Sequence, residues 1–129
     1  MNLSICVKLK TGRMFFYILK KLATQAGLKN YNKTEKYIFS SIKPNHQSFE
    51  EKRYWRGPVW INCNWIIYHG LKNKDSRFAN QIKKKTIDLV KQKGFNEYFS
   101  CKTGKGFGAT NFSWTASLFL DLILENKYE

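Results

Sequence analysis

A tryptophan-rich segment offers the side chains that carbohydrate sites use. Residues 53–65 have the sequence RYWRGPVWINCNW. Indole and phenol rings stack on the apolar faces of sugars, while Arg and Asn donate hydrogen bonds to hydroxyl groups or to a carboxylate. Gly57 has no side chain, so the backbone there can approach a ligand closely. A buried aromatic corner with arginine packed on tryptophan would have the same composition, and both interpretations stay open on the residues alone.

One glutamate stands among aromatic residues, in the run NEYF at residues 96–99. Glu97 is the only acid between Asp88 and Asp121. Apolar rings beside a carboxylate disfavour its charged form, so the group can accept a proton near neutral pH. The pattern therefore allows a general base. A glutamate at a helix end, bonded to a local backbone group or to a lysine, is the alternative.

The chain after Glu97 carries weaker signals. Glycine alternates in TGKGFG at residues 103–108, but a phosphate-binding P-loop needs GxxxxGK[ST] after a strand, and neither is present. A flexible loop beside a ligand site is the better interpretation. Trp114, in the run NFSWTA, either lines a pocket or closes the core. His46 and His69 have no partners at metal-ligand spacing, so the sequence predicts no metal site and no cofactor.

Helices are predicted to position these residues, because apolar side chains recur at helical spacing. The predicted helices are one around Met14, Ile18, Leu19 and Leu22 that ends at Gly27, a short one around Tyr37, Ile38 and Ser41, one over Val59–Leu71 with Pro58 in its first turn, one from Asp75 or Ser76 to Gly94, and one that starts at Asn111 or Ser113. Convincing two-residue alternation is absent, so residues 95–111 are predicted to be a loop and the fold class all-α.

These helices need more burial than a small bundle provides. The helix before Gly94 has a single apolar face, and the run of Lys83, Lys84 and Lys85 extends over the opposite face. The last helix is apolar nearly all round, which predicts a place in the middle of helical layers. The long aromatic loops also fall at one end of the helical array. Together these features predict a slice of a larger helical toroid.

The composition sets broad limits. The chain has 129 residues, the size of one domain, and 43% are hydrophobic, so it can bury a modest core. A net charge of +14 suits a nucleic-acid-binding module, although scattered lysines usually coat a solvated surface. The chain has three cysteines, Cys6, Cys63 and Cys101, which are far apart in the sequence. This odd number and wide spacing predict buried or unreactive thiols in a reducing compartment. Neither a signal peptide nor a membrane span is recognisable, so a cytoplasmic location is predicted.

Three motifs together resemble glycoside hydrolase family 63, including its mannosylglycerate and glucosylglycerate hydrolases. The motifs are YWRGPVWINCNW at 54–65, GFNEYF at 94–99 and TGKGFGATNFSWTASLFLDL from 103 onward, and their order and spacing agree. Residues 44–129 carry the motifs, whereas residues 1–43 match only as generic helices. Lys105 departs from the pattern, because relatives often carry Glu in this loop.

The resemblance implies an (α/α)6 toroid that hydrolyses α-glycosidic bonds with inversion. This chain would supply the C-terminal helices of such a six-hairpin barrel, as a single portion of the catalytic domain. The resemblance implies roles for seven residues: Glu97 as the general base that activates water, Tyr54 and Trp55 against the substrate, Arg56, Gly57 and Trp60 shaping the pocket, and Trp114 near its floor.

The general acid of the family is an Asp from an earlier part of the barrel. Asp75, Asp88 and Asp121 lie on helices without a neighbouring sugar motif, so none is predicted to replace it. The chain is therefore expected to be inactive alone, with an α-linked sugar as substrate and a complementing N-terminal chain as partner, and without nucleic acid or a membrane. A truncated gene, a degraded copy or half of a split enzyme would each explain it. The alternatives are a basic nucleic-acid-binding module and a non-functional remnant.

Overall fold

The computed structural model describes residues 36–73 and 75–125. These ranges form three helices and one β-hairpin, in the order α1 Ile61–Leu71, α2 Ser76–Lys93, β1 Asn96–Phe99, β2 Gly106–Thr110 and α3 Ser113–Leu124. Each helix packs against the other two, and α3 also contacts β1. The helix predicted around Met14 to Leu22 and the thiol of Cys6 lie outside the described residues.

The predicted helix from Ser76 to Gly94 is confirmed as α2. Residues close together in the sequence are enough to start and to end it. The Asp75 side chain accepts a hydrogen bond from the Phe78 N–H at 3.1 Å and caps the first turn. Gly94 ends the helix at φ +81°, a conformation that residues with a side chain rarely adopt. The predicted apolar face is buried, but Lys83 is not on a solvated face, since only 11% of its side chain is exposed and its Nζ lies 3.1 Å from Glu125.

Helix α1 starts two residues later than predicted. Val59 pairs with Ser40 and Phe99 as a β-bridge residue, and both its N–H and its C=O are bonded to Phe99, at 2.8 and 2.9 Å. Those bonds hold Val59 extended and leave Trp60 as the N-cap residue at φ −115°, ψ 129°. Pro58 is therefore buried before the helix and not in its first turn.

The short helix predicted around residues 37–41 is wrong. This segment is bent and extended, and Ser40 bridges Val59. The side chain of Asn64 replaces the helical hydrogen bonds, because its Oδ1 accepts from the Phe39 N–H at 2.8 Å and its Nδ2 donates to the Ile38 carbonyl. A distant amide thus overrides the local helical spacing.

The all-α prediction is wrong for residues 95–111, which form an antiparallel hairpin. Asn96 pairs with Thr110, whereas Tyr98 pairs with Phe107. Two steps along β1 thus oppose three along β2, so β2 carries one extra residue opposite Glu97. Gly108 lies there at φ +71°, as in bulges that begin with a left-handed glycine. The remaining described architecture is helical.

Helix α3 starts at Ser113, as predicted, but it differs from its prediction in its capping and in its burial. Phe112 is the N-cap residue and makes no side-chain capping bond, so neither Asn111 nor Ser113 caps the helix. Only Thr115 and Leu122 are buried along it. Leu120 is 51% exposed, so the predicted burial on every side is not met within residues 36–73 and 75–125.

Two apolar clusters join these elements. One lies between the three helices and includes Phe78, Ile82 and Leu122. The other lies under the hairpin, where Val59, Leu89 and Phe99 pack together. Because Val59 and Phe99 are also paired through the backbone, this second cluster holds the start of α1 beside β1.

Candidate active site

Glu97 projects from β1 against the bulge of β2. Its Oε2 accepts a hydrogen bond from the Ala109 N–H at 3.0 Å. A Cβ on Gly108 would stand 2.4 Å from the same oxygen, so only glycine leaves room for the carboxylate in this position. Bulges often aim a side chain beside a functional site, and here the bulge holds the one predicted catalytic residue.

Tyr54 comes from the preceding loop and reaches the same carboxylate. Partial burial raises the pKa of its phenol, and a hydrogen bond with Glu97 together with the negative charge of that residue raises it further. The proton therefore stays on Tyr54, beside the Glu97 carboxylate. The ring is 47% exposed and lies edge-on to Trp60, with centroids 4.6 Å apart. The loop and the hairpin thus meet at Glu97.

A stack of rings forms the wall behind Tyr54. Trp60 stacks on Trp55, with centroids 4.3 Å apart and planes at 15°, and on Tyr98, at 5.0 Å and 26°. The Trp60 indole N–H donates to the Tyr54 carbonyl at 2.8 Å, and its ring is only 2% exposed. Burial and this hydrogen bond fix the ring, so the stack is a rigid surface.

Glu97 and two of the predicted tryptophans line one depression at the start of α1 and α3. It is a shallow depression that is open to solvent and encloses no space for a water molecule. Trp114 is 50% exposed at this place. The lining consists of Trp60, Ile61, Asn62, Glu97, Phe112, Trp114, Thr115 and Leu118. The structure therefore brings Glu97 and the aromatic segment together, although they are far apart in sequence.

Arg56 and Gly57 lie outside this lining. The Arg56 guanidinium pairs with Glu50 at 3.1 Å. A Cβ on Gly57 would stand 2.4 Å from the Glu50 carbonyl oxygen, so the missing side chain makes room for the chain's own backbone and not for a ligand. Both residues shape the loop that carries Tyr54 and Trp55.

Sequence reasoning missed several residues of the site. Asn62, Phe112 and Thr115 line the depression, and Gly108 and Ala109 hold the carboxylate. The alternating glycines were a signal for the bulge, but their role depends on the hairpin, which was not predicted. Thr115 Oγ1 donates to the Asn96 carbonyl at 2.8 Å and so ties α3 to the residue next to Glu97.

Glu97 is the only acid in the lining. Among the described residues, the other acids are engaged elsewhere: Glu50 with Arg53 and Arg56, Glu51 with Ser100, Asp75 at the cap of α2, Asp88 with Lys84, Asp121 with Trp65, and Glu125 with Lys72 and Lys83. The described part of the chain therefore brings one carboxylate to the site.

Two thiols are buried. Burial raises the pKa of Cys63 to about 12, so this thiol stays protonated and unreactive. Cys101 is also buried. Within residues 36–73 and 75–125, three potential metal ligands do not come together anywhere. The helices in this part of the chain are too short or too polar to cross a bilayer.

Glycoside hydrolases use a pair of carboxylates, and the described residues place one carboxylate beside aromatic rings. The chain belongs to the mannosylglycerate hydrolase MGH1-like glycoside hydrolase domain family, whose profile matches residues 10–115. The resemblance to family 63 that the motifs indicate is thereby confirmed.

Relatives of known sequence and structure agree with this membership. The chain is 45% identical over 80 residues to the mannosylglycerate hydrolase of Rubrobacter radiotolerans. This alignment covers 60% of this chain and 18% of that protein. It is also similar to a family 63 mannosylglycerate hydrolase from Thermus thermophilus. The structure of that enzyme with Tris and D-glycerate matches with a TM-score of 0.66 and 32% identity over 87% of this chain and 26% of that one.

A second structure of the Thermus thermophilus enzyme, in complex with glucose, matches with a TM-score of 0.65 and 37% identity. That match covers 71% of this chain and 24% of the other. The chain spans about a fifth of the length of the curated relatives that it matches.

Proposed function

We propose that this chain is a segment of an inverting α-glycoside hydrolase, in which it supplies the general base and part of the sugar pocket. Its helices and hairpin would then be the C-terminal portion of an (α/α)6 toroid. The single observation that carries the proposal is that Glu97 lines one depression with Trp60 and Trp114. A base beside an exposed ring that can stack on a sugar, here Trp114, is the minimum that this chemistry needs from one side of the site.

In the proposed reaction, Glu97 removes a proton from a water molecule as its oxygen attacks the anomeric carbon. The bond to the leaving-group oxygen breaks on the opposite face, and the general acid protonates that oxygen. The Ala109 N–H bond to Oε2 supports the role of Glu97, because it fixes the carboxylate. A carboxylate has about four acceptor positions. The bond from Ala109 therefore leaves other acceptor positions on the carboxylate for the attacking water.

The described residues bring no second acid to the depression, so we propose that a complementing chain supplies the general acid. An inverting pair stands about 6.5–9.5 Å apart, and Glu97 is the only acid in the lining. Asp75, Asp88 and Asp121 are each held in other contacts. We therefore expect no hydrolysis by this chain alone and hydrolysis when a complementing chain supplies the acid.

The ligands of the relatives indicate which substrates to test first. The Thermus thermophilus enzyme has been solved with glucose and with D-glycerate. Mannosylglycerate and glucosylglycerate combine an α-linked sugar with this acid and are therefore the first candidates. Oligosaccharides that end in an α-linked glucose are the next class.

A grafted enzyme tests the role of Glu97. In the Rubrobacter radiotolerans relative, the segment that this chain matches is replaced by the corresponding residues of this chain. We expect Glu97→Gln to lower kcat on mannosylglycerate by about 10²–10⁴-fold, which is the usual contribution of a general base. Sugar binding should persist, because Gln keeps the shape of Glu.

The matched control is Asp88→Asn in the same grafted enzyme. Asp88 is a surface acid whose side chain is 44% exposed and paired with Lys84, so the exchange removes a carboxylate far from any proposed chemistry. Turnover should be unchanged in this variant. Retained turnover in the Glu97→Gln variant would reject the assignment of the general base.

A further inference from the structure

Thr115 is a buried polar residue that the proposed catalytic step does not use. The residue is only 2% exposed and lines the depression together with Glu97. Its Oγ1 donates to the Asn96 carbonyl at 2.8 Å. A threonine hydroxyl in a helix often bonds to the carbonyl four residues earlier, as Thr86 does with Ile82 in α2. Thr115 instead uses its hydroxyl group to join two elements, α3 and β1.

The accepting carbonyl group belongs to the peptide unit that precedes Glu97. The atoms of a peptide unit lie in one plane, so the Asn96 oxygen moves together with the nitrogen and the Cα of Glu97. A bond to that oxygen therefore restrains the backbone from which the Glu97 side chain projects. The hairpin is irregular at this point, because its register shifts between Asn96 and Tyr98. A restraint from outside the hairpin thus acts where the strand pairing is least regular.

Helix α3 holds the same end of β1 through two further contacts. The Phe112 N–H donates to the Phe95 carbonyl at 2.8 Å. The ring of Phe95 lies edge-on to that of Phe119, with centroids 5.7 Å apart. Both contacts reach Phe95, whereas the Thr115 hydroxyl reaches the peptide unit next to the proposed base.

We infer that Thr115 is a positioning residue for Glu97. Its hydroxyl group fixes the peptide unit before Glu97, and the Ala109 N–H fixes the carboxylate at the other end of the same residue. The backbone and the carboxylate of the proposed base are thus held by two different elements, α3 and β2. Thr115 acts through Glu97 and takes no part in the proton transfer. The inference rests on the proposed function, since it concerns the proposed base.

Thr115→Val removes the hydroxyl group and keeps the branched shape of the side chain. The variant is made in the grafted enzyme, and kcat and KM on mannosylglycerate are measured. We expect kcat to be about tenfold lower, because a catalytic group must be held to within about 0.5 Å of its productive position. KM should be unchanged, since the contacts with the sugar stay. Thr115→Ser keeps the hydroxyl group and should recover most of the lost kcat.

The amide group of Ala109 reports the position of the carboxylate without any turnover. Its N–H is bonded to Glu97 Oε2, so its proton signal in nuclear magnetic resonance depends on that bond. In the full 129-residue chain, we expect Thr115→Val to move this signal upfield. The shift should be toward the position of the signal in Glu97→Ala, where the bond is absent.

The matched control is Thr86→Val. Thr86 is equally buried, at 2% exposed, and its hydroxyl group also donates at 2.8 Å, but it lies on α2, which does not line the depression. The control variant should leave both kcat and the Ala109 signal unchanged.

An unchanged Ala109 signal or a wild-type kcat in Thr115→Val would overturn the inference. A kcat as low in Thr115→Ser as in Thr115→Val would overturn it too, since the loss would then follow packing and not the hydroxyl group. An equal loss in Thr86→Val would have the same consequence, because the loss would then follow stability. Failure of the proposed function is read separately, as retained turnover of the grafted Glu97→Gln enzyme.

Discussion

Replacing Gly108 by Ala should disable the site by moving one carboxylate. Gly108 lies at φ +71° in the bulge, and an added Cβ would stand 2.4 Å from Glu97 Oε2 and 2.8 Å from the Glu97 Cβ. Ordinary van der Waals contacts start near 3.4 Å. Glu97 must therefore move by about 1 Å, and a misplacement of that size can cost about 10²-fold in rate. The Ala109 N–H bond to Oε2 would be lost as well.

The stability cost has two parts, and a second glycine separates them. A positive φ costs a residue with a side chain about 1–2 kcal/mol, which corresponds to a fall in Tm of no more than about 2–4 °C per kcal/mol in an enzyme several times longer than this chain. Gly94 has φ +81°, but an added Cβ there would have no atom within 4 Å. Gly94→Ala thus pays the backbone cost without touching the site, whereas Gly108→Ala carries this cost and displaces Glu97.

Both variants are made in the grafted enzyme, and kcat on mannosylglycerate and Tm are measured. We expect both Tm values to fall, with the larger fall for Gly108→Ala, and kcat about 10²-fold lower only for Gly108→Ala. The reasoning would be refuted if Gly108→Ala kept its kcat, because the bulge would then not position the carboxylate. An equal loss of kcat in Gly94→Ala would refute it as well, since the loss would then follow stability.

Two further predictions concern folding. Partial burial alone would raise the pKa of Glu125, but hydrogen bonds from Lys72, Tyr68 and Lys83 lower it from 4.5 to about 2. Because the pKa is lower in the folded state, the ionised carboxylate stabilises the fold above pH 4.5, and this stabilisation is lost as the pH falls toward 2. In urea melts between pH 5 and 2, Glu125→Gln should remove about 2 kcal/mol of the pH-dependent free energy of unfolding. This value allows for the one-third exposure of Lys72. A pH dependence like that of the wild type would contradict the pairing. Asn64→Ala should lower the free energy of unfolding in urea melts by about 2–3 kcal/mol, since it leaves the Phe39 N–H and the Ile38 carbonyl without partners. The exposed control Asn80→Ala should change it by less than about 0.5 kcal/mol. Equal effects of the two variants would count against the role of Asn64.

Local signals were sufficient where neighbours in sequence make the bonds. Helix α2 followed from Asp75 at its cap, Gly94 at its end and the apolar spacing between them. Residues 37–41 have helical spacing too, but they are bonded to Asn64 from another element. Val59 likewise fits a helical pattern in the sequence, but it is extended because its backbone pairs with Phe99. Predictions failed where a partner distant in sequence supplied the hydrogen bonds.

The candidate site divides in the same way. The motifs were enough to predict the family, and they make Glu97 the proposed base, because the types and spacing of residues such as Trp60 and Trp114 are visible in the chain itself. They could not indicate that Gly57 accommodates backbone, that Asn62 lines the depression, or that Gly108 holds the carboxylate. Those roles depend on which atoms meet across elements. The sequence thus determined the chemistry that is available, and only the tertiary structure decided which groups face one another, because long-range backbone pairing and a single bulged residue set their directions.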